Sequence, residues 1–339
     1  MSLIVENLIG MGDARGVIAN RSARLCRHLV SRLLASTIIL AGLGGAQTVE
    51  AGASQQVCGD IAQRYVVNRN QLNARTLNFL LFDAAERGCL ELVDQFLGLG
   101  ASVVARDRFG NTALLRAARM GQTKVVERLI STGSDVAQTN LAGSTALLRA
   151  VTMNRRKTTK LLLVAGADPN AANNRGVTPL TAASFNGNDR LVALLLDAGV
   201  EPGAIDATGK SAIVYAAGRG YAGIVAMLLA TGIDIDRRYG NDLTALMWAA
   251  GFSNDVPPMD GAETVRLLLA RNASLDLADN RGRTALMTAA QRAHAGVVKQ
   301  LLAAGANPSI VDKVGQTALD IAHAADNQAV LDALVAGGG

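Results

Sequence analysis

The sequence predicts an all-α solenoid of eight stacked helix–turn–helix units. Three observations carry that prediction: an internal period of 33 residues, an apolar stripe at helical spacing on either side of a recurring glycine, and an apolar composition. Half of the 339 residues are hydrophobic and 18% are charged, which excludes a disordered chain, since those are polar and highly charged. Length alone would suggest two domains, but repetition at a fixed period overrides that prior.

The period is read from a short recurring start. Gly110-Asn111-Thr112-Ala113-Leu114 returns as Gly143-Ser144-Thr145-Ala146-Leu147, Gly176-Val177-Thr178-Pro179-Leu180 and Gly209-Lys210-Ser211-Ala212-Ile213. Leu243-Thr244-Ala245-Leu246, Gly282-Arg283-Thr284-Ala285-Leu286 and Gly315-Gln316-Thr317-Ala318-Leu319 complete the series. The hydroxyl residues are 33 apart except for one step of 40, between 244 and 284. A degenerate eighth copy precedes them: Ala84-Ala85-Glu86-Arg87-Gly88 lies 33 residues before Ala117-Ala118-Arg119-Met120-Gly121.

Each unit reads as a turn and two short helices. In the second unit, Thr112–Arg119 is the first helix, with the Thr112 hydroxyl placed to cap its exposed amides. Leu114, Ala117 and Ala118 form an i, i+3, i+4 stripe, and Gly121 ends it. Thr123–Ser131 is the second helix, burying Val125, Val126, Leu129 and Ile130 before Gly133 stops it. The polar stretch 134–143 suits a protruding hairpin. One such unit cannot bury its own apolar face; its neighbours supply the core. The units run 74–106, 107–139, 140–172, 173–205, 206–238, 239–278, 279–311 and 312–337, the first and last serving as caps. Unit six holds seven extra residues between its helices, within Ser253-Asn254-Asp255-Val256-Pro257-Pro258-Met259-Asp260-Gly261. Two readings of that insertion stand: a proline-stiffened binding loop beside Phe252, or a tolerated loop without a role.

On these starts, on unit ends such as Leu162-Leu163-Val164-Ala165-Gly166-Ala167-Asp168 and Leu301-Leu302-Ala303-Ala304-Gly305-Ala306-Asn307, and on the period, the chain resembles the ankyrin-repeat family over about residues 74–337. The resemblance implies stacked helix pairs with finger-like hairpins and a concave face that binds proteins. One departure is systematic. The family carries histidine three residues after the threonine, where this chain has Leu115, Leu148, Thr181, Val214, Met247, Met287 and Asp320. The hydrogen bonds of that histidine must be absent or replaced.

The first 46 residues read as a signal peptide. Arg15, Arg21, Arg24, Arg27 and Arg32 precede the apolar run Leu33–Ala41, and small residues follow, an order that marks secretory leaders. The alternative is a membrane anchor, but 33–46 falls short of the roughly 20 residues a span needs. Cleavage is expected between Gln47 and Ser54, leaving no stable membrane span and placing the protein in the periplasm or outside the cell. The leader carries five arginines against Glu6 and Asp13, a surplus of three, so net charge falls from +5 to +2 on its removal. Arginine outnumbers lysine 27 to 6 among abundant Ala and Gly; that is the signature of GC-rich coding, not of nucleic-acid binding. Residues 47–73 form a linker and a helical leader, with Ile61, Tyr65, Val66 and Leu72 as the apolar face of a segment 60–75. Two cysteines remain after cleavage. They permit a Cys58–Cys89 disulfide in an oxidising compartment, against the alternative of two free thiols.

No chemistry-bearing constellation stands out. The glycines recur at fixed turn positions, His294 and His323 lie in different units without a cysteine near either, and Asp135, Asp168, Asp234 and Asp276 recur at unit ends as turn residues. The sequence thus implies no enzyme, no cofactor and no metal. What varies between units is the inner column. Four residues after each threonine it reads Arg116, Arg149, Ala182, Tyr215, Trp248, Thr288, with Asp83 in the first unit. Seven and eight residues on stand Arg119, Met120, Met153, Phe185, Arg219 and Phe252. With Phe109 and Tyr239 on the fingers, these suggest a partner-binding face, basic and methionine-rich at units two and three, aromatic at units four to six. Exposed Trp, Tyr, Met and Arg are interface residues; the competing reading is local packing. The expected function is non-catalytic protein binding, by a scaffold or accessory protein of a bacterial envelope. The alternative is a secreted inhibitor or effector that blocks a partner's active site.

Overall fold

The computed structural model describes residues 58–252 and 258–337. The signal-peptide reading, its cleavage region and residues 253–257 of the insertion lie outside the described residues. A leading helix α1 covers 58–67. Eight helix pairs follow: α2 (Ala74–Arg87) with α3 (Leu90–Gly98), α4 (Ala113–Met120) with α5 (Thr123–Ser131), α6 (Ala146–Thr152) with α7 (Arg156–Val164), and α8 (Pro179–Phe185) with α9 (Asp189–Asp197). The rest are α10 (Ala212–Ala217) with α11 (Ala222–Leu229), α12 (Ala245–Ala250) with α13 (Pro258–Ala270), α14 (Ala285–Gln291) with α15 (Ala295–Ala303), and α16 (Ala318–Ala324) with α17 (Gln328–Gly337). First helices pack on first helices of the next pair, and second on second. The core is therefore one continuous layer between two rows of helices.

The local chemistry repeats with the period. Thr112, Thr145, Thr178, Thr244, Thr284 and Thr317 each accept the N–H three residues on and so cap the first helix. Ser211 departs: its hydroxyl is buried and makes no cap bond. Leu114, Ala117, Ala118, Val126 and Leu129 are fully buried, as the two apolar stripes require. The histidine of the family is replaced largely by bulk, since Leu115, Leu148, Val214, Met247 and Met287 are all buried. Thr181 instead shares a hydrogen bond with the Thr178 hydroxyl at 3.0 Å, and Asp320 closes a capping box with Thr317.

The fingers are tied by a residue that the sequence reading passed over. The side-chain oxygen of Asp107, Asn140, Asn173, Asp206, Asp279 or Asp312 accepts the N–H groups two and four residues further on. This is the Asx turn, which pins the loop against the strand-like return. In repeat 6 the position is Tyr239, and the finger becomes a 3-10 turn with Asn241 and Asp242 at φ 63° and 62°. Elsewhere glycine takes the left-handed position. Gly110 has φ 76°, and a Cβ there would lie 2.9 Å from the Leu141 nitrogen, so both conformation and close approach demand glycine. Each finger also bonds to the next through its backbone: Leu141 N–H to Phe109 O, Asn174 to Ala142, Ala207 to Arg175, Gly240 to Gly209, Asn280 to Asn241 and Lys313 to Arg281, at 2.8–3.0 Å.

At the N-terminal end, Cys58 and Cys89 form a disulfide with Cα atoms 5.7 Å apart. Cys89 sits between the helices of repeat 1 as the residue preceding α3. Ile61 and Tyr65 pack down on repeat 1, the Tyr65 ring lying 5.5 Å from that of Phe96. The expected single helix over 60–75 is broken. α1 ends at 67, and Asn73 caps α2 by accepting the Thr76 N–H at 2.9 Å. Val66, inside α1 but off the face that Ile61 and Tyr65 share, points to solvent at 64% exposure instead of joining the core.

Candidate functional site

The inner helix row presents the columns read from the sequence, and the structure divides them into three groups. The first is ionic. Arg116 donates Nε–H to Glu86 at 2.8 Å, its terminal nitrogen reaches the same carboxylate, and Arg119 binds the other oxygen. Arg64 and Arg87 similarly share Asp83. The expected basic surface at repeat 2 is thus corrected: Arg116 and Arg119 are half-buried and share the Glu86 carboxylate of the first repeat, which ties repeat 2 to the cap. Arg149 and Met153, in repeat 3, are half-buried, while Met120 and the finger residue Phe109 are exposed. The Arg108 guanidinium lies 4.6 Å over the Phe109 ring.

The second group is packing. Tyr215, Tyr239 and Phe252 were expected as exposed anchors and are buried, at 8%, 6% and 3% exposure. Tyr215 donates its phenol to Asp206 at 2.6 Å, the same carboxylate that organises its finger. Burial, and then the hydrogen bond to Asp206, holds that phenol far above its ordinary pKa. Tyr239 is sealed under its finger, and burial pushes its phenol up as well. Phe252 stacks on His294, with centroids 3.7 Å apart and planes 7° from parallel. Gly261 also lies against the ring, and its missing side chain makes the room: a Cβ there would collide with it. Burial of His294, with the charge of Arg292, lowers its pKa below the ordinary value against the opposing bond to the Ala250 carbonyl. The ring is therefore neutral at pH 7 and donates Nδ1–H to that carbonyl at 2.9 Å.

The third group is a half-exposed run of rings and cations across repeats 4–6. Phe185 meets Tyr215 edge-on with centroids 5.7 Å apart. Lys210 lies with Nζ 5.5 Å from the Tyr215 ring and 5.0 Å from that of Trp248. Arg219 lies 4.5 Å over Phe185 and 5.9 Å from Tyr221. Phe185, Trp248, Lys210 and Arg219 are each partly exposed. The neighbouring inner helix ends at Gly218, and its missing side chain lets the indole of Trp248 lie close against the backbone there: an added Cβ would stand 3.3 Å from the ring. Lys210 was missed as a site residue because it follows the finger glycine in a repeat start. Its signal was rarity: the chain has six lysines, and this one stands where other repeats place Asn111, Ser144 or Val177.

Asp135, Asp168 and Asp234 each accept the N–H two residues on, so they are turn residues. Asp276 accepts the Asn307 N–H from the following repeat. Among the described residues, no group of three or more His, Cys, Asp or Glu converges to hold a metal, and no helix is long and apolar enough to cross a membrane. A family model described as ankyrin repeats (3 copies) matches residues 81–173, 157–239, 180–257 and 246–338. No curated protein matches the chain.

Proposed function

Because the chain belongs to the ankyrin-repeat family, a family of non-catalytic protein-binding scaffolds, we propose that it is an exported scaffold or accessory protein of a bacterial envelope, holding a protein partner on its inner face. The observation that carries the inner-face reading is the half-exposed cluster of Phe185, Trp248, Lys210 and Arg219, residue types that anchor interfaces. Export is supported by the basic–apolar–small order of the leader and by the Cys58–Cys89 bridge, since disulfides persist in oxidising compartments. The buried Tyr215, Tyr239 and Phe252 shape this face from beneath and contribute no contact of their own.

The test has two arms. A photo-crosslinking residue at Phe185 or at Met120, on the inner row, should capture a protein in cells. The same residue at Val164, 79% exposed on the outer row, should not. Equal capture from both rows, or from the outer row alone, removes the inner-face reading. Fractionation with N-terminal sequencing of the native protein addresses location. A start between Gln47 and Ser54 in the envelope fraction fits the scaffold, release to the medium moves the reading to a secreted inhibitor or effector, and a retained Met1 in the cytoplasm removes export altogether.

A further inference from the structure

We propose that the segment this face binds is acidic: a stretch of protein carrying carboxylates beside apolar side chains, read by Lys210, Arg219 and Trp248 on repeats 4–6. The inference rests on the scaffold reading above and specifies its partner by charge.

From repeat 2 to repeat 7 the inner row carries no negative charge on its helices. α4, α6, α8, α10, α12 and α14 contain no acidic residue. At repeat 2 the two arginines share the Glu86 carboxylate. Further along, no carboxylate pairs with Lys210 or Arg219 among the described residues. The carboxylate beneath them, Asp206, is 7% exposed and taken up by the Tyr215 phenol, the Thr208 hydroxyl and two backbone N–H groups. The two cations rest instead on ring faces, which hold them in place without neutralising them.

Hydrogen bonding has the same polarity. Arg219 Nε and Trp248 Nε1 are buried donors with no acceptor among the described residues, an arrangement that costs free energy in the isolated protein. Two orphan donors and two unpaired cations within one aromatic run leave a site that lacks only acceptors. A carboxylate-bearing segment supplies them after a small rotation of either side chain, and its apolar neighbours cover the exposed parts of Phe185 and Trp248. Screening of the cations by salt weakens such a contact.

Trp248 is the only tryptophan of the chain, so its emission reports on this site alone. The purified protein is titrated with a synthetic peptide of Glu, Asp and Leu, with its Gln, Asn and Leu counterpart, and with a heparin oligosaccharide. The acidic peptide is expected to shift the emission saturably, with an affinity that falls as salt rises. The uncharged peptide should give no saturable shift. Lys210→Gln with Arg219→Gln should weaken binding roughly tenfold or more, with an unfolding midpoint near the parent's. Lys210→Arg with Arg219→Lys should retain binding and keep the comparison valid if the neutral variant folds poorly. Equal response to both peptides, indifference to salt in the parent protein, or a response to heparin but not to the acidic peptide overturns the proposal. In cells, crosslinks from Phe185 that persist unchanged in the Lys210→Gln, Arg219→Gln variant leave the scaffold reading standing and remove this one. Absence of crosslinks from every inner position removes the scaffold reading itself.

Discussion

Removing the Cys58–Cys89 bridge should loosen one end of the molecule and leave the other untouched. The bridge closes a loop with a sequence separation of 31 residues. In the chain-entropy model a loop of that length is worth about 3.7 kcal/mol at 25 °C. In a linear array each repeat touches only its neighbours, so stability is a sum of local terms and the loss stays near its source. α1 depends on the bridge most, because its own contribution to the core is small: Ile61 and Tyr65 are buried while Val66 and Val67 are exposed. The measurement is amide hydrogen exchange on the oxidised protein and on the Cys58→Ser, Cys89→Ser variant. Amides of 58–98 should exchange up to several hundred-fold faster, on the order of the equilibrium factor that about 3.7 kcal/mol represents. Amides of α14 to α17 should not change. Identical exchange over 58–98 in both proteins would show that packing alone holds the leader. A loss spread evenly along the array would show that the repeats unfold as one unit, and would refute the local argument.

Phe252→Ala should destabilise repeat 6 by about 3–5 kcal/mol in denaturant unfolding, as for a buried aromatic. Gly261→Ala, which ordinarily gains about 1 kcal/mol in a helix, should instead cost roughly 1–3 kcal/mol by overpacking against the Phe252 ring, and should turn neutral or favourable in the Phe252→Ala background. Tyr215→Phe should cost about 1–2 kcal/mol through the acceptor it strands at Asp206. The lowered pKa of His294 has a fixed sign. The unfolded chain binds the proton first, so stability is full above the ordinary histidine pKa of about 6.5 and falls as pH drops toward the lower folded value. His294→Gln should flatten that part of the stability–pH profile, and an unaltered profile would assign the effect elsewhere.

The solenoid was legible because it is written in position rather than in identity. The turn residue after each first helix, most often glycine, the hydroxyl residue before it and the apolar pairs between them each have a single structural use, and seven copies of the start make the use plain. The binding face was only half legible, for a different reason. A column fixes the direction in which a side chain leaves its helix, but not what waits there. Tyr215 was drawn down by Asp206, nine residues earlier. Phe252 was taken in by Gly261, across an insertion that no other repeat shares. Glu86 had been visible all along in the same column as Arg119, one repeat before it, and the ion pair follows directly from that adjacency. The Asx residues escaped notice because some repeats carry Asp and others Asn, and Tyr239 interrupts them, although the shared physical property is only an oxygen at the right reach.

The backbone bonds that join finger to finger run without a gap from Phe109 to Lys313. They pass through the irregular sixth finger, where Asn280 bonds to Asn241 although the repeat between them is longer than the others. The additional residues enter between the two helices of that repeat, away from the finger row, and do not stretch the spacing along it. The molecule therefore behaves like a measuring tape with a fixed pitch. A guest lying across several repeats meets recognition points at preset intervals, and little ordering of the host is needed to receive it, which favours affinity. The same rail sets a limit. For a guest held across several repeats as proposed, a spacing off by a fraction of a repeat would strain the backbone bonds from one finger to the next, so length would add to charge as a ground of selection.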